Sequence, residues 1–190
     1  MTYSADRENL NYILMSSVDI KDYKDEIIRI IPELIICIEC EQNMPSHIYN
    51  VFEHILETVN KVEFDLILKI AALFHDIGKP YRKTVINNID SFKGHEEASI
   101  IMANLILRRL GYEEGFINKV CRLIKYHDYK IIPTVEGVKE AIELIGNELI
   151  PYLFSLQNAD LLAHSEQRYK QLLPKLNEAK AIYESKIYLK

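Results

Sequence analysis

Apolar residues recur at intervals of three and four along almost the whole chain, and no stretch alternates apolar with polar residues for long enough to make a sheet. That period gathers apolar side chains on one stripe of a helix, which must be buried against other helices. The fold expected is therefore all-α, and 48% hydrophobic residues among 190 can close a sizeable core. The pattern predicts helices over Leu10–Met15, Lys24–Cys40 with a kink at Pro32, Ser46–Val59, Phe64–Phe74, His95–Leu110, Glu114–His127, Val135–Ile145, Glu148–Tyr169 and Leu173–Ser185. Ser46 reads as an N-cap, Gly111 as a C-cap, and Gly146 with Asn147 as a break between helices. One irregular connection of 17 residues runs from Gly78 to Gly94, and a loop that long in a compact domain is often functional. The chain reads as a single domain over residues 1–190, with its core motifs in about 45–165. Helices in 8–44 and a C-terminal helix over 173–185 are expected to pack on that core.

Charge and cysteine content remove several classes of function. A net charge of -5 gives no general basic field for nucleic-acid backbone. Cys37, Cys40 and Cys121 are too few and odd in number for a disulfide framework, and the Cys37–Cys40 pair, without a second pair, reads as packed thiols. No apolar run reaches transmembrane length, and the opening stretch lacks the regions of a secretory signal, so no membrane and a cytoplasmic setting are expected.

The informative residues are polar ones on apolar faces. Phe116, Val120, Leu123 and His127 share one helix side, and Leu149, Leu153, Leu156, Asp160 and Ala163 share another, which drops a carboxylate into a core stripe. A buried carboxylate without a positive partner costs several kcal/mol, about 3 or more, so something positive should face Asp160. His54 falls on an inward face with His47 seven residues before it. His75 and Asp76 end the apolar helix of "IAALFHDIGK", and His95 begins the next helix after the long connection. Each histidine alone reads as a core residue bonded to a carbonyl. Together, His54, His75, Asp76, His95, His127 and Asp160 point to a shared metal site, and mixed imidazole and carboxylate ligands suit one or two divalent transition-metal ions sharing Asp76. Fe, Mn, Ni, Co and Zn fit such donors, with Mg an alternative.

The ordered set His54, His75-Asp76 and Asp160 resembles the HD-domain metal-dependent phosphohydrolase superfamily, and the added His95 and His127 resemble its two-metal members. The segments "CEQNMPSHIYNVFEHILETV", "IAALFHDIGKP", "FKGHEEAS", "RLIKYHD" and "LQNADLLAHS" are similar to the HD domain of bacterial CCA-adding tRNA nucleotidyltransferases. The resemblance implies an HD-type helical bundle and hydrolysis of nucleotide phosphate esters. The chain has no Gly-Gly pair and no Asp-x-Asp, the marks of the nucleotidyltransferase head, so it is expected to act as a free-standing HD domain.

The function expected is that of a metal-dependent phosphohydrolase acting on a small nucleotide substrate, such as a cyclic nucleotide, a nucleoside monophosphate or a dinucleoside polyphosphate. The alternative is a non-catalytic module binding tRNA or a separate nucleotidyltransferase chain. Asp76 and Lys79 are the expected catalytic residues, with Lys79 placed to reach a phosphate oxygen. His75 with Asp76 is expected to ligate one ion or bridge two, His54 and Asp160 complete one site and His95 and His127 the other, and Asp128 is an alternative ligand or an orienting carboxylate. His47 and His164 are placed at the pocket rim or on the surface, and Arg82 and Lys83 on the loop that would steer an anion. Lys119, Arg122 and Lys125 read as a solvated face.

Overall fold

The computed structural model describes residues 3–16 and 18–189. In chain order the helices are α1 (Tyr3–Leu14), α2 (Lys24–Ile30), α3 (Ile35–Ile38), α4 (Val51–Lys61), α5 (Leu66–Phe74) and the single turn α6 (Lys79–Arg82). A hairpin of β1 (Thr84–Ile86) and β2 (Ile89–Ser91) follows, then α7 (His95–Arg109), α8 (Glu114–Tyr126), α9 (Val135–Ile145), α10 (Ile150–Leu162) and α11 (Glu166–Ser185). The fold is an all-α bundle, as the periodicity requires.

Helix α5, with the sequence LILKIAALF, stands at the centre because it is apolar nearly all round, and it packs against α4, α8 and α10. Asp65 caps its start, the side chain accepting from Leu68 N at 3.1 Å. Its far end delivers His75 and Asp76 into the middle of the bundle, where both are buried. The turn that follows needs a glycine. A Cβ at Gly78 would lie 2.4 Å from Ser99 N and 2.5 Å from His95 O, so only glycine lets this turn seat against the start of α7. The Gly78 amide donates to Ser99 Oγ at 2.9 Å, fixing the join.

Several boundaries differ from the sequence reading for local reasons. Pro32 does not kink one long helix; it starts a 3-10 turn (Pro32–Leu34) between α2 and α3. Ser46 is not a cap. Asn50 is, accepting from Glu53 N at 2.8 Å, and His47 therefore lies in the loop before α4 rather than on the helix of His54. The expected helix over Glu148–Tyr169 breaks after Leu162, and Ser165 caps α11 with its side chain accepting from Arg168 N at 3.4 Å. Helix α11 thus begins seven residues before the Leu173 expected and runs through Pro174.

The connection from Gly78 to Gly94 is ordered by α6 and the hairpin. Asn87 and Asn88 take positive φ at its two-residue turn (50° and 61°), where asparagine is tolerated. Asn43 holds the hairpin from outside, its amide donating to Asp90 Oδ2 at 2.7 Å and its Nδ2 to Asn88 O at 2.7 Å. Lys83 is spent on the same brace, 2.8 Å from Asp90 Oδ2, while Arg82 stays exposed, 3.8 Å from Glu97 Oε2. Cys37 and Cys40 are buried free thiols. No helix among the described residues is long and apolar enough to cross a membrane.

Candidate metal centre

Four helix termini and the inner face of α4 aim their polar groups at one point. His54 comes from α4, His75-Asp76 from the end of α5, His95 from the first position of α7, His127 from just past α8, and Asp160 from the last turn of α10. The carboxylate of Asp76 divides the cluster. Its Oδ2 lies 3.4 Å from His54 Nε2 and 3.2 Å from His75 Nε2. Its Oδ1 lies 3.1 Å from His95 Nε2 and 3.7 Å from His127 Nε2. Asp160 Oδ1 closes the first group, 2.8 Å from His54 Nε2 and 3.6 Å from His75 Nε2. The structure thus brings all six expected ligands together, in the two sets His54, His75 and Asp160, and Asp76, His95 and His127.

The rings are held in one orientation. Nδ1 of His54, His75, His95 and His127 meets the main-chain oxygen of Ala163 (3.3 Å), Ala72 (2.7 Å), Phe92 (3.0 Å) and Ile124 (2.7 Å) respectively. A carbonyl only accepts, so each Nδ1 carries the hydrogen and each neutral ring turns the lone pair of Nε2 inward. Backbone carbonyls commonly orient metal-binding imidazoles this way. Ala163 O is free for His54 because α10 stops there, so the helix break serves the site.

The donors then crowd one another. His54 and His75 bring their Nε2 atoms to 3.4 Å, His95 and His127 to 3.2 Å, and Asp76 Oδ1 is buried without a hydrogen-bond partner. Converging lone pairs with an orphaned carboxylate oxygen fit a cation on each side of Asp76 and fit a plain packed core badly. In the metal-free protein protons take that place. Burial opposes charge on His75, but Asp76 and Asp160 outweigh it and push its pKa up to about 10. Burial wins at His54 and lowers its pKa although Asp160 is nearer to it, so the charge settles on His75. His95 is raised, Asp76 overcoming burial, and burial against Lys79, His164 and His54 drops His47 to about 2. Asp76 and Asp160 are held well below the carboxylate range despite their burial, by His75 with Lys79 and by His164 with His54.

Lys79 is buried, with Nζ 2.6 Å from Asp76 Oδ2 and donating to Gln42 Oε1 at 2.8 Å. Asp128 is exposed at the mouth, its Oδ2 3.8 Å from His95 Nε2 and 3.7 Å from His127 Nε2. His47 and His164 lie tilted against each other beside His54, their ring centroids 4.4 Å apart, and line the same cleft of about 260 Å³ as Asp76, Lys79 and Asp128. Lys119, Arg122 and Lys125 do not line this cleft. Three contributors went unseen in the sequence. Gln42 partners Lys79, Arg168 lines the cleft, and Gln157 Nε2 donates to His127 O at 2.9 Å and to Tyr129 O at 2.7 Å. Gln157 stands one turn before Asp160 on the same face, a signal the sequence did carry.

With this geometry in view, comparison with known proteins decides the family. The HD domain family model matches residues 46–178. The chain belongs to the HD domain family. HD proteins are generally metal-dependent phosphohydrolases, and the ligand set here matches that chemistry. Among curated proteins, this HD domain is similar to the A-adding tRNA nucleotidyltransferase of Deinococcus radiodurans, 31% identical over 123 residues, which are 60% of this chain and 28% of that protein. It is also similar to the CC-adding tRNA nucleotidyltransferase of Thermus thermophilus, 29% identical over 140 residues, 70% of this chain and 32% of that protein. The chain therefore spans about a third of the length of these relatives.

Proposed function

We propose that this HD domain hydrolyses phosphate esters of small nucleotides at a pair of divalent transition-metal ions held by His54, His75, Asp76, His95, His127 and Asp160. The observation that carries the reading is the division of Asp76: one carboxylate oxygen faces each donor group, and the Oδ1 side is buried with no hydrogen-bond partner. Ions held there would supply a nucleophile at neutral pH and stabilise charge on phosphoryl oxygens. The chain's own residues do the rest. Asp76 and the carbonyl-anchored rings fix the donors on rigid helix ends. Lys79 places its Nζ beside Asp76 on the cleft wall, where a phosphate oxygen would arrive. Asp128 offers an exposed carboxylate over the second donor group, able to take up a proton from the attacking water. The cleft of about 260 Å³ admits a phosphoryl group with part of a sugar.

A second reading makes the chain a non-catalytic module that contacts tRNA or a separate nucleotidyltransferase chain, and the names of the two relatives favour it. The net charge of -5 and a ligand set with an open mouth support hydrolysis instead. A panel of cyclic nucleotides, nucleoside monophosphates and dinucleoside polyphosphates, with added Mn, Co or Ni, tests the choice. At least one ester should be cleaved, with loss of cleavage on chelation. Survival of every ester, together with tight tRNA binding at physiological salt, would establish the module.

A further inference from the structure

A second cleft of about 360 Å³ opens from the first, and the two share His127, Asp128, Asp160, His164 and Arg168 as common walls. Arg168 stands at the junction. Its side chain is half-buried, its Nε is shut off from water without a hydrogen-bond partner, and no carboxylate among the described residues pairs with its guanidinium. Lys93, Lys130 and Lys175 also line these clefts but are exposed, where water satisfies an ammonium. A guanidinium whose Nε is cut off from water without a partner, and which no carboxylate of the described residues neutralises, points to an anion from outside. Beyond it the second cleft turns amphipathic, with Tyr129, Ile131, Leu172 and Leu176 as apolar surface and Gln171 and Lys175 as polar points. Such walls suit a nucleoside.

We propose that Arg168 grips a second phosphate of the substrate, so that the preferred substrate is a nucleotide carrying two or more linked phosphates, with water adding to the phosphorus at the donor cluster as its phosphoanhydride bond to the next phosphate breaks. One phosphoryl group lies at the donor cluster, the next on Arg168, and the nucleoside in the second cleft. The assignment rests on the phosphoester reading of the same site, and it names the substrate class that reading leaves open. A fork-shaped guanidinium matches a phosphate by paired charge-assisted hydrogen bonds, which lysine cannot reproduce.

The test uses Mn-loaded protein and two non-hydrolysed probes, the methylene-bridged analogue of ADP and the phosphonate analogue of AMP, with binding read by calorimetry. Wild type should bind the two-phosphate probe at least about tenfold tighter, the worth of a charge-assisted pair. Arg168→Ala should erase that gap, leave binding of the one-phosphate probe unchanged and melt no lower than wild type, since it loses an unpaired charge. Arg168→Lys should recover only part of the gap. No gap in wild type, a gap that survives Arg168→Ala, or equal loss of both probes with a lower melting temperature would each overturn the assignment. Binding is read apart from turnover. An intact, Arg168-dependent gap in a protein that cleaves no ester supports the grip while removing the catalytic reading.

Discussion

His95 and His127 bring their Nε2 atoms to 3.2 Å although each ring already uses its Nδ1 hydrogen on a main-chain carbonyl. Two lone pairs held that close by separate helices would suit a shared cation, and Asp76 Oδ1, 3.1 Å from His95 Nε2, completes a triangle of donors that could hold one. The first donor group repeats the arrangement with His54, His75 and Asp160.

Separate donor groups give separable losses. His127→Ala should lower metal content by one ion per chain and leave the other bound, and Asp160→Asn should do the same from the opposite side. Elemental analysis after metal loading and desalting reads both. Loss of all metal in His127→Ala, or full retention in Asp160→Asn, would contradict the division.

Gln157 is placed to act through His127. Its Nε2 bridges the carbonyls of His127 and Tyr129 and so holds the turn on which the ligand sits. Gln157→Leu keeps the bulk and removes both bonds. Affinity for the second ion should fall by roughly 10 to 100-fold, the usual cost of losing a ligand's support, while the first ion stays. Calorimetric Co titration separates the two binding events, and an unchanged weaker event would argue against the positioning role.

The metal-free protein should be most stable near pH 6.5. His75 is raised to about 10, so its contribution is fully present below the ordinary histidine value of about 6.5 and is lost as the pH rises toward 10. His47, lowered to about 2, stays neutral when folded while the unfolded chain takes up a proton below about 6.5, so acid costs stability there. Asp76 and Asp160, held low, add to the loss as the pH falls below the ordinary carboxylate range. Melting of chelator-treated protein at pH 4.5, 6.5 and 9.5 should peak at the middle value. Added Mn should raise the alkaline melting temperature most, because binding displaces the His75 proton. A stability that climbs steadily to pH 9.5 without metal would refute this.

Much of the candidate site was legible because most of its donors broke a pattern. Asp160 interrupts an apolar stripe, and His75, His95 and His127 sit where periodicity stops. What stayed hidden depends on contacts far apart in sequence. Lys79 looks like a loop lysine in "GKPYR", and only Gln42, 37 residues earlier, makes it a buried one. The break at Ala163 carries neither glycine nor proline, so periodicity runs through it and hides the carbonyl that orients His54. Pro45-Ser46 imitates a helix start, which misplaced His47, while the cap is Asn50. The hairpin escaped notice because its strands are three residues each and its buried side amounts to Asp90.

Anomalous diffraction from crystals soaked in Mn would locate the ions that the two donor groups on either side of Asp76 are proposed to hold. Two peaks are expected roughly 3.5 to 4 Å apart, one on each side of the Asp76 carboxylate, the spacing of two-metal hydrolases. A map with no peak at this cluster, or with a single peak that leaves His95 and His127 in contact with each other, would contradict the two-ion reading.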